Sequence, residues 1–153
     1  MKQTPKFQKI ITQICKKFDF DMNEPGASIT IYNAPYMPLT IHNVAEKWIA
    51  VSHIGEQNGD VMHDPEVVLW IRRYPSRMDG EVYEEWYPTE YRQDYLGFYQ
   101  NAVAELGITN DPARYYVKMQ RDIGTFVNSW AANIRAQGFL TDGTIDKPEE
   151  KDD

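Results

Sequence analysis

Apolar positions near the N-terminus fall at helical spacing. Phe7, Ile10, Ile11, Ile14 and Phe18 form one stripe, and Lys6, Lys9, Lys16 and Lys17 take the other face. Thr4 stands as the N-cap and Pro5 as a first helical residue that needs no N–H partner. From Ala27 onward the period changes to two. Ser28–Tyr32 and Leu39–Asn43 alternate, whereas Lys47–Ile54 and Glu66–Arg73 are more continuously apolar and rich in β-branched and aromatic residues. Asn58-Gly59 between the last two accepts the positive φ angles of a tight hairpin, and Asp79-Gly80 repeats the signal before a further strand over Glu81–Tyr87 that Pro88 ends.

The last third returns to helical spacing. Tyr95, Phe98, Tyr99, Ala102, Val103 and Leu106 predict a helix from about Asp94 that Gly107 closes, and Asn110 or Asp111 before Pro112 marks another start. Ile123, Phe126, Val127, Trp130, Ala131 and Ile134 form the final helix, which ends at Gly138 with Phe139 packed beneath it. No internal repeat or interior linker divides the chain. The expected fold is therefore α+β. One domain over residues 1–144 holds an antiparallel meander of about four to five strands, with an N-terminal helix and two or more C-terminal helices on one face. Residues 145–153 are expected to be a disordered acidic tail.

Composition narrows the class. The 153 residues are 42% apolar and 25% charged, with a net charge of −7, and the tail contributes five acids against two lysines. No apolar run approaches the roughly 20 residues of a membrane span. Cys15 alone cannot form an internal disulfide, and the expected location is cytoplasmic. Phosphate-backbone binding favours a basic surface, so nucleic acid is the weaker partner class; only Lys2 to Lys17 and Arg72, Arg73 and Arg77 cluster. No membrane partner is expected.

No phosphate loop, dinucleotide fingerprint, nucleophile elbow, zinc spacing or EF-hand loop is present, so no catalytic residue and no cofactor is assigned. The densest polar group runs from His53 to Glu66 and holds His53, Glu56, Gln57, Asn58, Asp60, His63, Asp64 and Glu66. Imidazole and carboxylate together suit a divalent metal or an acid–base pair, whereas the plain reading is a hydrated hairpin tip. Tyr83, Tyr87, Tyr91, Tyr95 and Tyr99 recur every fourth residue and form either a binding surface or the cover of the sheet. Glu81, Glu84, Glu85 and Glu90 beside them carry the wrong sign for stacking on single-stranded nucleic acid.

The elements His53-x-x-Glu56-Gln57-Asn58-Gly59-Asp60, Asp64-Pro65-Glu66 and Tyr95-Leu96-Gly97-x-Tyr99-Gln100 resemble an uncharacterised domain family of bacteria, their phages and mobile elements. The likeness runs from about Leu39 to Leu140 and leaves out the N-terminal helix. Ile54 and Gly55 stand where that pattern carries aromatics. The resemblance implies a small accessory protein. By analogy with such proteins, the expectation is a non-enzymatic binder of a host or element-encoded protein, with anti-CRISPR or anti-restriction inhibition as its specific form. Its candidate contact residues are His53, Glu56, Gln57, Asn58, Asp60, Asp64, Glu66, Tyr91 and Tyr95. The alternative is a metal- or small-ligand-binding enzyme domain centred on His53–Glu66.

Overall fold

The computed structural model describes residues 1–76 and 78–149. Helix α1 spans Pro5–Lys17. It is followed by strands β1 (Ser28–Ile31), β2 (Leu39–Ala45), β3 (Trp48–Gln57), β4 (Asp60–Pro75) and β5 (Val82–Gln93), a short 3-10 turn, then β6 (Phe98–Asn101). Strands β7 (Val103–Leu106) and β8 (Pro112–Tyr115) and helix α2 (Val117–Ala136) complete the chain. Strands β1 to β6 form one antiparallel sheet in sequence order, and β7 and β8 form a separate hairpin. The α+β single-domain class stands, but the detailed expectation does not. The main sheet has six strands rather than four or five, a second two-stranded sheet is present, and one helix rather than two or more follows them.

The missing helix was expected over Asp94–Leu106. Its apolar residues also fit short strands, and Gly97 at φ +63° interrupts the run directly after the 3-10 turn Asp94–Leu96. Beyond it, the backbone pairs Gln93 with Phe98 and Glu90 with Asn101, so the segment completes the sheet edge. The signals at Gly107 and Asn110-Asp111-Pro112 belong to the loop of the β7–β8 hairpin. There Gly107 N–H donates to Asp111 C=O at 2.7 Å, and Asn110 turns at φ +62°.

Pro88 does not end β5. The register runs from Leu69 opposite Pro88 to Val68 opposite Glu90, leaving Thr89 as an extra residue in a bulge. A bulge tolerates the proline's missing donor. It also reverses the side-chain parity of the strand. Tyr87 pairs with Trp70 on one face, whereas Tyr91, four residues later, pairs with Val67 on the other.

The helices cover a single face. Phe7, Ile10, Ile11 and Ile14 of α1, with Ile123, Val127, Trp130 and Ile134 of α2, close over Ile41, Ile49, Val51, Val67, Leu69, Ile71 and Trp86, all buried. At about 25 cal/mol per Å2 of apolar surface, this layer supplies the main driving force of the fold. Thr4 precedes α1 but makes no cap with its side chain; its hydroxyl donates to the Trp86 carbonyl instead. Buried Gln120 ties the N-terminal segment to the sheet, exchanging bonds with the Lys2 backbone and donating to the Pro88 carbonyl. Cys15 faces the core, and burial pushes its thiol up to about 12. Past α2, Tyr32 and Thr144 exchange backbone bonds, holding the chain to the β1 edge as far as residue 144. Of the expected acidic tail, residues 145–149 are outside helix and strand, and 150–153 lie outside the described residues. Among the described residues no helix is long and apolar enough to cross a membrane.

Candidate functional site

The His53–Glu66 segment is not a loose hairpin tip. Strands β3 and β4 remain paired to Gln57 and Asp60, and only Asn58 and Gly59 turn, at φ +53° and +83°. Side-chain alternation therefore divides the polar cluster. His53 points into the helix-covered face, 6% exposed. One ring nitrogen lies 3.0 Å from the Met37 carbonyl, and the ring meets Trp130 edge-on and lies against Phe139. Its other nitrogen, Nε2, is buried without a partner among the described residues. Burial holds its pKa below the usual 6.5, against the upward pull of backbone bonds at Met37 and Pro38. Glu56, Gln57, Asn58 and Asp60 are exposed at the hairpin end. Asp64 accepts the Tyr95 backbone N–H.

Glu66 points to the second face, where a real network exists. His63 Nδ1 lies 3.1 Å from Glu66 Oε2 and 3.2 Å from Ser52 Oγ. Arg92 approaches Glu66 at 3.3 Å, and its Nε lies 3.1 Å from Asp94 Oδ1 but at an angle that makes no hydrogen bond. Asp94 in turn accepts the His63 N–H at 2.7 Å. A Ser–His–carboxylate relay needs the hydroxyl and the acid on opposite ring nitrogens. Here both address Nδ1, so the arrangement orients the imidazole and does not activate Ser52. A small pocket of about 110 Å3 beside it is lined by Ser28, Thr40, His42, Ser52, His63 and Glu66. Among the described residues no three His, Cys, Asp or Glu side chains converge in a way that could hold a metal ion.

The tyrosine series is divided too. Tyr83 and Tyr87 lie on the second face, beside Tyr74 and stacked on Trp70 at 5.4 Å respectively. The Thr89 bulge sends Tyr91 to the helix side, against Phe126 at 4.8 Å, and burial followed by the Asp64 charge raises its pKa. Tyr95 sits on the 3-10 turn with its hydroxyl over Gly55, where a Cβ would collide with it. The expected contact set thus occupies two faces and one end of the sheet. Of the basic residues, Arg72 and Arg73 face Glu85 and Glu84 across the strands, and Arg77 lies outside the described residues.

A separate concavity lies elsewhere. A groove of about 470 Å3 runs between the second face of the sheet and the β7–β8 hairpin. Val44, Trp48 and Val68 line one wall, Val103, Ala104 and Leu106 the other. The hairpin is moored at its loop. Trp48 Nε1 donates to the Asn110 carbonyl at 2.9 Å, and Trp70 Nε1 to Asp111 Oδ1 at 2.9 Å. Lys47 pairs with Asp111 at 3.2 Å. Burial would raise the Asp111 pKa, but bonds from Thr109, Trp70 and Lys47 outweigh it and hold the carboxyl below its ordinary value. At its base, Ala102 donates to Thr89 and accepts from Tyr116. Sequence reasoning missed this groove because it read one wall as a helix. The available signal was Gly107 followed by Asn110-Asp111-Pro112, a turn cluster between two short alternating runs.

A family model described as a domain of unknown function, DUF6908, matches residues 9–140. The chain belongs to the DUF6908 family. The match starts inside α1, so the N-terminal helix is part of the DUF6908 domain and not outside it, as the sequence resemblance implied. It also takes in the whole sheet, the β7–β8 hairpin and α2, hence both walls of the groove. No curated protein and no solved structure matches the chain.

Proposed function

We propose that this DUF6908 chain is a non-enzymatic accessory binding protein that grips a host or element-encoded protein in the cytoplasm through the groove beneath the β7–β8 hairpin. In this reading it is carried by phages or mobile elements and acts against a host defence system of the CRISPR or restriction kind by contact alone. One observation supports the location: an apolar-walled groove of about 470 Å3 includes exposed Val44 and Leu106 in its lining. Concave, mostly apolar sites with a few polar groups are where ligands seat, and exposed apolar residues at a rim extend the contact. The phage and anti-defence context comes from the sequence resemblance.

Affinity capture tests the reading. The wild-type chain should retain one protein in near-equimolar amount, and Ala104→Trp, which fills the groove from an exposed position, should lose it while melting at the wild-type temperature. Equal capture by the filled variant, or no stoichiometric partner, defeats the proposal. Expression beside a restriction or CRISPR system should raise phage plating. If plating is unchanged while a partner is still captured, the anti-defence form is wrong and the binding reading survives.

A further inference from the structure

The charges along the groove indicate what it receives. Among the described residues no lysine or arginine lines it, whereas Glu90 and Glu105 both do. Glu105 has a cation, Arg114, at 3.6 Å on the exposed side of the hairpin. Glu90 has none among the described residues; its recorded partner is the Tyr99 hydroxyl, donating to Oε1 at 3.1 Å. Donors around the groove are largely consumed. Trp48 Nε1 bonds the Asn110 carbonyl, the Thr89 hydroxyl the Val68 carbonyl, and Val103 N–H the Asn101 Oδ1, which leaves the amide nitrogens of Asn101 and Asn110 as the lining side-chain donors. Val68 stands directly across from Glu90 on the next strand, and Trp48 and Val44 continue the apolar lining farther along the groove. The site is therefore poor in donors, anionic at one point and apolar around it. A long basic side chain has the complementary design, with an apolar stem and a cationic, donor-rich head.

We infer that the groove receives an arginine or lysine side chain of the partner protein, its head on the Glu90 carboxylate and its stem against Val68 in the direction of Trp48. The inference rests on the binding reading above and names the chemistry of its occupant. A partner presenting an exposed basic residue also suits a chain with net charge −7, which steers cationic surfaces toward it.

The probe is n-butylguanidinium, with n-butylurea as its neutral match, titrated into the full chain at low salt while the Trp48 indole N–H is followed by NMR. The guanidinium should shift that resonance saturably and the urea should not. Glu90→Gln should weaken binding by about tenfold, the scale of one charge-assisted hydrogen bond. Tyr99→Phe, which removes the hydroxyl that competes for Oε1, should leave binding equal or slightly tighter, and this opposite sign separates a direct role of Glu90 from general loss of structure. No saturable shift, equal binding of the urea, or an unaffected Glu90→Gln each overturns the inference. The two readings fail separately. If a partner is lost on Ala104→Trp but retained by Glu90→Gln, the groove binds and the basic occupant is wrong. If Ala104→Trp keeps its partner, the binding reading itself is wrong, whatever the guanidinium does.

Discussion

The two faces of the six-stranded sheet come from the same strands and alternate residues, yet they do different work. On one, Ile49, Val51, Val67, Leu69, Ile71 and Trp86 meet two helices and are sealed from water. On the other, Ser52, Glu66, Trp70, Arg72, Tyr87, Glu90 and Arg92 meet one another and a short hairpin. The helix side earns its stability from area and close packing. The second side consists of hydrogen bonds, ion pairs and a groove, contacts that are individually small in water. Apolar packing and polar contacts are thereby separated by the pleat, and a substitution can be assigned to one or the other by its parity.

The strongest way to break that contrast is Trp86→Ala. Trp86 is fully buried, and truncation should cost about 3–5 kcal/mol, read as a fall in the urea midpoint. A loss as small as that of a second-face variant would mean the helix layer is not the source of stability. Next comes pH. Because burial depresses the folded-state pKa of His53 below 6.5, the unfolded chain takes up its proton first on acidification. Stability is therefore full above about pH 6.5 and is lost as the pH falls from there toward the folded-state value, with a slope of up to about 1.4 kcal/mol per pH unit. Unfolding of wild type and His53→Leu at pH 7 and pH 5 isolates this contribution; identical pH responses contradict it. The Asp111 carboxyl, also held low, acts in a separate and more acidic window: its stabilising bonds are present above its ordinary pKa of 3.8 and lost as the pH falls through its lowered one.

On the second face, Asp111→Asn weakens the Lys47 pair and the Trp70 bond that moor the hairpin. It should cost about 1 kcal/mol in global stability, while amide exchange in β7 and β8 speeds up more than in β3 or β4. Uniform protection across all four strands would show that the hairpin is not an independent unit. Smallest of all, Arg72→Ala should move stability by less than about 0.5 kcal/mol, since exposed side chains of this kind contribute little. A larger loss would put a substantial part of the stability on the polar face.

Much of this division was legible in the sequence. Period-two runs located β1 to β4, Asn58-Gly59 located a turn that is there, and the stripes of α1 and α2 named the buried residues almost one for one. The sequence was silent where one residue changes parity. Nothing at Thr89 announces a bulge, so tyrosines at every fourth position read as one surface although the strand presents them on two. Between residues 94 and 106, side chains spaced three and four apart satisfied a helix as well as two short strands, and pairing of β6 with β5 and of β7 with β8 decided the matter. The polar group from His53 to Glu66 failed for a related reason: nearness along a strand puts neighbours on opposite sides, so a dense stretch of chemistry need not be a site.

Because its loop is tied to Trp48 and Trp70 and its base leaves the sheet at Ala102, the hairpin spans the second face like a strap buckled at both ends. Changes in its length or tip residues alter the aperture without touching a single helix contact.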